Sequence, residues 1–315
     1  MSGRGGSGGG GGRGGGGGGG AGGGGPRGGR PGGGGGSRGG RPAGRPDRPG
    51  GRPDKPAGRP DKPGGTGRRP EPARGQAPAA GGSDPNVIYG RNAVHEALRA
   101  KLRPVRSLWA TEQASHEPWL RGVDVRISTS DEIASRCGSD GHQGVCAIAG
   151  RFPYAEGAAL LRADAPLIVA LDEVQDVQNL GSITRTAECA GATGLVIPER
   201  RSAEVTAAAG KASAGAIEHL PIARVRNLAD FLAEAKTAGL WVYGAAGEAG
   251  STPWTDIDWT GGVVLVMGAE GKGLRPRVAD SCDALVALPL RGSIGSLNVG
   301  AAAAALLYEA VRARG

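Results

Sequence analysis

The sequence predicts an α/β protein: a carboxyl-terminal parallel-sheet domain over residues 165–315, a smaller α/β domain over 86–154, a linker over 155–164 and a disordered tail over 1–85. Three observations predict it. After residue 165, nearly continuous runs of Val, Ile, Leu and Ala recur about every 25 residues, as parallel strands covered on both faces require. Between residues 86 and 154, shorter β-rich runs alternate with helical ones. Residues 1–85 hold 38 of the 63 glycines and no aromatic residue, too little apolar surface to offset the entropy of ordering them.

The tail carries 15 Lys+Arg against 5 Asp+Glu, a net of +10, which leaves residues 86–315 with 23 against 25, a net of −2. The high isoelectric point therefore belongs to the tail. Within it a seven-residue unit recurs three times in succession: GRPDRPG from Gly44, GRPDKPA from Gly51 and GRPDKPG from Gly58. No copy has an apolar side chain larger than proline to bury, so the repeat is a charged, partly polyproline-like spacer rather than a solenoid. Such a polycation either finds RNA phosphates by releasing counterions or serves as a solvated linker. Cys137, Cys146, Cys189 and Cys282 form no CxxC pair, which argues against a zinc site or disulfide framework and reads as four buried small hydrophobes in a reducing compartment. No apolar run approaches the roughly 20 residues that span a bilayer, and the start lacks the apolar core of a signal peptide. A soluble, cytoplasmic protein with no membrane partner is expected.

In the small domain NVIYG, VRSLWA, VDVRIS and GVCAIA read as strands, with helices over 92–99 and 130–137 and a polar helical stretch between them. Residues 151–164 read as a connector with one short helix. The larger domain offers six strands: PLIVALDEV, GLVIP, LPIARV, LWVYGA, GVVLVMG and DALVALPL. Ligands of such sheets sit beyond the carboxyl ends of the strands, which directs attention to the loops after VALDEV, VLVMG and VALPL.

After VALDEV comes NLGSITRTA, from Asn179. Gly181 and Ser182 suit a tight turn and an N-cap, which would put Arg185 on the first exposed turn of a helix ending at Gly191. There it would clamp an RNA phosphate with its planar fork, or pair as a surface arginine with Asp172, Asp176 or Glu188. After VLVMG, three glycines in six residues (Gly268, Gly271 and Gly273) allow close backbone approach and isolate Glu270 as the one carboxylate, although a plain turn explains the same pattern. After VALPL, LPLRGSIGSLN opens a helix with alanines at 301–305. Ser296 and Asn298 suit its N-cap, and exposed N–H groups at its start suit a ligand carboxylate. The alanine run implies close packing on the sheet or on a second subunit.

In this order and spacing, NLGSITRTAECAG, VLVMGAEGKGL and LPLRGSIGSLNVGAAAA resemble the three signature motifs of the SpoU branch of the SPOUT methyltransferases, over roughly residues 167–312. IYGRNAVHEAL and HQGVCAIA resemble the small, L30e-like substrate-binding domain that precedes them in bacterial enzymes methylating a guanosine ribose of large-subunit ribosomal RNA. The resemblance implies a deep trefoil knot in the carboxyl-terminal sheet, an exception to the rule that chains do not thread their own loops. It implies methyl transfer from S-adenosyl-L-methionine to a ribose 2′-hydroxyl of RNA, 23S ribosomal RNA or its precursor, by a homodimer with the active site at the subunit interface. By position, Gly268, Leu288 and Leu297 would contact the cofactor, and Asn179, Arg185, Glu270, Ser296 and Asn298 would form the polar catalytic set. No metal is implied, and His95, His116, His142 and His219 read as structural or surface residues.

A sulfonium methyl is already activated, so the protein must place the ribose oxygen in line behind it and help remove a poorly acidic proton. The resemblance gives that help to Arg185. A guanidinium is a poor base, which favours a phosphate clamp that lowers the hydroxyl's pKa, with Glu270 orienting Arg185 or the asparagine side chains. Gly300 stands where many relatives carry Ser, and small-for-small replacement in a packed helix should be tolerated. Transfer-RNA ribose methylation uses the same motifs and is the alternative substrate. A non-catalytic RNA-binding or ribosome-assembly factor is the alternative of another class, against which intact Arg185, Glu270, Ser296 and Asn298 speak.

Overall fold

The computed structural model describes residues 86–247 and 250–315, and the expectations placed on the tail lie outside them. The first sheet is built from β1 (Val87–Tyr89), β2 (Val105–Ala110), β3 (Arg126–Ile127) and β4 (Val145–Ala149) in the order β1-β4-β2-β3. Helices α1 (Arg91–Ala100) and α2 (Glu112–Ser115) cover one face, where Val94, Ala97 and Ala114 meet Ile88, Leu108 and Ala147. Helix α3 (Ser130–Cys137) covers the other, burying Ile133 and Cys137 against Tyr89 and Cys146. Its ends follow from sequence: Thr129 and Glu132 form a capping box at the start, and Gly138, at φ 65°, ends it in the left-handed region.

A short helix, α4 (Gly157–Leu160), leads to a seven-stranded sheet. Its strands, with the helices between them, are β5 (Leu167–Asp172), α5 (Val177–Cys189), β6 (Gly194–Pro198), α6 (Ala207–Ala212), β7 (Ile222–Val225), α7 (Leu228–Thr237), β8 (Trp241–Ala245), β9 (Thr252–Pro253), β10 (Val263–Gly268), α8 (Pro276–Ala279), β11 (Ala284–Ala287) and α9 (Val299–Arg314). All pair in parallel, in the order β7-β6-β5-β10-β8-β11-β9. The period-two alternation of strand side chains sorts the apolar runs to two cores. Leu167, Val169 and Leu171 of β5 face α5, α6 and α9, whereas Ile168 and Ala170 face α7 and the ends of α4 and α8.

Strand β9, which the sequence reading omits, lies at the sheet's edge and contains Pro253, where the missing N–H costs no ladder bond. Strand β3 is shorter than the run VDVRIS because it too is an edge, paired only with β2 at Trp109 and Ala110. The two sheets lie in one compact unit. Arg103, after α1, donates from Nε to Glu218 at 3.2 Å and from Nη1 to the Gly150 carbonyl at 3.2 Å, and both charged residues are buried. Of the four cysteines, Cys137 and Cys146 are buried as expected, but Cys189 is exposed on α5 and Cys282 is partly so.

Candidate active site

The first motif folds differently from its local reading. Helix α5 starts at Val177, and its cap is Asp176, whose carboxylate accepts the Gln178 N–H at 2.9 Å. Gly181 and Ser182 therefore lie inside the helix rather than at its entry. Gly181 has no side chain because α6 lies directly against it: a Cβ would fall 2.8 Å from the backbone nitrogen of Ser213. Ser182 faces α9, with its Oγ 3.0 Å from where a Cβ of Gly300 would stand. Asn179, in the first turn, is buried and points at the neighbouring loop.

That loop follows β10 and is fixed at both ends. Ala269 donates to the Gly273 carbonyl at 3.1 Å and Gly273 donates back at 2.9 Å, with Gly271 and Gly273 at φ 73° and 67°. A Cβ on Gly268 would land on the Gly273 carbonyl, so the turn closes only with glycine there. Beyond it, fully buried Asp172 at the end of β5 accepts from the Arg275 backbone N–H at 2.8 Å and from its Nε at 2.7 Å. Arg275 thus takes Asp172, one of the three carboxylates that the sequence offered to Arg185.

These constraints carry Glu270 to the meeting point of three segments. Its Oε1 accepts from Nδ2 of Asn179 at 2.9 Å and from Nδ2 of Asn298 at 2.6 Å, and the Asn298 amide also reaches Oδ1 of Asn179 at 3.0 Å. Asn298 is the N-cap of α9: its Oδ1 accepts from Gly300 and Ala301 at 2.9 and 3.2 Å. The helix start is therefore occupied by its own cap and is not the open carboxylate site that the sequence suggested; Ser296 plays no part in capping.

Beside this cluster lies a cleft of about 410 Å³. Gly268, Leu288 and Leu297, the three residues assigned to the cofactor by resemblance, all line it, together with Glu270 and Ser296. Met267, Val286, Leu290 and Leu306 supply apolar wall, while the loop from Gly268 to Gly273 presents backbone. The size lies in the range of small-molecule sites, and a mostly apolar wall with a backbone edge suits an adenosine and a thioether-like chain. The end of β8 and the loop after it, Ala245, Ala246 and Gly247, complete the cleft and were missed by sequence reasoning; the signal was a run of small residues behind a strong strand.

Arg185 stands apart. It is the ninth residue of α5, exposed, without a hydrogen bond or ion pair among the described residues, and it does not line the cleft. A larger concavity of about 890 Å³ lies in the small domain between α2 and α3, but it holds none of the motif residues, and Glu112 and Glu132 lie on its wall. Among the described residues no group of three or more His, Cys, Asp or Glu could hold a metal ion. None of the described helices is long and apolar enough to cross a membrane.

Comparison with known proteins agrees with this geometry. The model of the SpoU rRNA Methylase family matches residues 166–308, and that for RNA 2′-O ribose methyltransferase substrate binding matches residues 87–155. The chain is 40% identical to the 23S rRNA (guanosine-2′-O-)-methyltransferase RlmB of Pseudomonas putida over 243 residues, 72% of this chain and 96% of that one. The structure is similar to the SpoU methyltransferase AviRb of Streptomyces viridochromogenes in complex with AdoMet, with a TM-score of 0.62, 28% identity and coverage of 72% and 89% of the two chains. It is also similar to the AdoMet-bound rRNA methyltransferase of Sinorhizobium meliloti, at 0.61 and 31% identity, covering 72% of this chain and 86% of that one.

Proposed function

We propose a substrate and a division of labour on one premise: the chain belongs to the SpoU rRNA methylase family. It is an S-adenosyl-L-methionine-dependent RNA 2′-O-ribose methyltransferase, and the substrate we assign is a guanosine of 23S ribosomal RNA, modified in the cytoplasm. That choice of RNA is supported by the near full-length similarity to RlmB of P. putida. The observation that carries the catalytic assignment is the hydrogen-bonded set of Asn179, Glu270 and Asn298, drawn from three motifs to the rim of one apolar cleft.

S-Adenosylmethionine, when bound, supplies a methyl group already activated by its sulfonium. Gly268, Leu288 and Leu297 hold it, and Glu270 keeps the two asparagine amides in place so that the loops after β10 and β11 stay closed around it. Ser296, exposed in the cleft, offers a hydroxyl toward the ribose. Arg185, with no side-chain partner among the described residues, takes an RNA phosphate and lowers the proton affinity of the neighbouring 2′-oxygen.

The trefoil knot belongs to this reading too. Strand β10 enters between β5 and β8, β11 lies beyond β8, and the chain then returns across the β10 loop for Asn298 to reach Glu270. The order β1-β4-β2-β3, with helices on both faces, supports an L30e-like small domain. A homodimer is supported by the exposed Ile294, Leu297, Tyr308 and Val311 on and before α9.

The test is transfer of labelled methyl by the full-length protein to a 23S ribosomal RNA transcript, followed by mapping of 2′-O-methylated positions. One modified guanosine ribose is expected. Methylation of a base, of transfer RNA alone, or of nothing would overturn the assignment.

A further inference from the structure

We propose that the α3 face of the small domain carries a clamp for RNA backbone phosphates, formed by Arg126 and Arg136 stacked on Trp109. The proposal rests on the reading of the protein as an RNA methyltransferase and locates one part of its RNA contact. The sheet's register sets Arg126, Trp109, Cys146 and Tyr89 opposite one another across β3, β2, β4 and β1. Helix α3 covers the inner part of this row with Ile133 and Cys137, leaving Trp109 half-buried toward the outer edge. There the guanidinium carbon of Arg126 lies 5.6 Å from the Trp109 ring centroid, and that of Arg136 lies 4.9 Å from it. Both are within cation–π range.

Both arginines are exposed, and neither side chain makes an ion pair or hydrogen bond among the described residues. Three other arginines of the domain are held by carboxylates, Arg91 by Glu117, Arg99 by Glu96 and Arg103 by Glu218, whereas Arg126 and Arg136 are the two that share one aromatic ring. Two guanidinium ions held beside one ring repel each other, and an anion bridging them relieves that repulsion. Stacking also restricts their rotamers before any ligand arrives, so less entropy is lost on binding. A phosphodiester is the matching partner, because its two free oxygens accept from planar N–H forks. Residues 86–315 have no basic excess, with a net of −2, so any attraction of this part of the chain to RNA rests on local clusters. The larger concavity of the domain has Glu112 and Glu132 on its wall and Arg91 held by Glu117, and so presents no unpaired guanidinium to a phosphate.

The experiment compares full-length wild type with the Arg126→Gln/Arg136→Gln double variant, both carrying the same basic tail. Affinity for a 23S ribosomal RNA fragment is measured by fluorescence anisotropy across a series of salt concentrations. Each lost phosphate contact flattens the log–log salt slope by about 0.7–0.9, so the double variant is expected to be shallower by roughly 1.5 and about tenfold weaker at low salt. S-Adenosylmethionine affinity should stay unchanged, reporting an intact fold. Trp109→Leu keeps both charges and is expected to weaken binding while retaining the wild-type slope. A double variant with wild-type slope and affinity overturns the clamp, whatever the enzyme's activity. If wild type transfers no methyl group but the double variant shows the predicted change of slope, the functional reading fails and the clamp stands.

Discussion

Asn298 performs two tasks with one amide: its oxygen caps α9 and its nitrogen donates to Glu270 and Asn179. The tasks separate by substitution. Asn298→Ser can keep a hydroxyl acceptor for the cap but loses the donor, so its stability should fall by less than about 1 kcal/mol. Its kcat/KM should nevertheless drop at least tenfold, and Asn298→Ala should show the same kinetic loss with a further loss of about 1 kcal/mol in urea unfolding. Equal activity of Asn298→Ser and wild type would mean the cap alone matters. Arg185 makes the opposite case. Exposed and without a side-chain partner among the described residues, it should be removable at almost no cost in stability. Arg185→Ala is expected to lose methyl transfer by more than 100-fold while S-adenosylmethionine affinity, read by calorimetry, stays within a few-fold. Near-normal turnover would remove Arg185 from the mechanism.

At the scale of elements, the legible parts were those whose signal is local. Helix α3 begins and ends where its capping box and Gly138 place it, and β6 spans the run GLVIP because both faces are buried. Helix α5 starts earlier than its local sequence suggests, because the smallness of Gly181 serves contact with α6, the next helix, rather than a turn. The meeting of Asn179, Glu270 and Asn298 had no local signal either. Their separations of 91 and 119 residues are invisible to periodicity, and only the resemblance grouped them. The loop after β10 tests how far backbone geometry governs the cleft. Gly268→Ala puts a methyl group on the Gly273 carbonyl, and backbone cannot yield as a flexible side chain can. S-Adenosylmethionine binding is expected to weaken by more than tenfold, while far-ultraviolet circular dichroism stays unchanged. Retained affinity would show that the turn can open without consequence.

At the scale of the molecule, the question is what holds the small domain in place over the large one. The buried pair of Arg103 and Glu218 is the best-defined tie: the guanidinium is shared among Glu218, the Gly150 carbonyl and the ring of Phe152, whose centroid lies 5.5 Å away. A desolvated pair of this kind adds little to stability relative to apolar residues of similar size, but loss of one member strands the other as an uncompensated buried charge. Glu218→Gln is thus expected to cost about 3–5 kcal/mol, a drop of roughly 6–20 °C in Tm for a unit of this size. The double variant Arg103→Met/Glu218→Leu, which removes both charges, should recover most of that loss. Its remaining defect should appear in RNA rather than in chemistry. With the domain tie made apolar and less directional, KM for ribosomal RNA should rise while kcat at saturating RNA and the affinity for S-adenosylmethionine hold. If the double variant is as unstable as Glu218→Gln, the pair contributes net stability, and orientation is not its purpose.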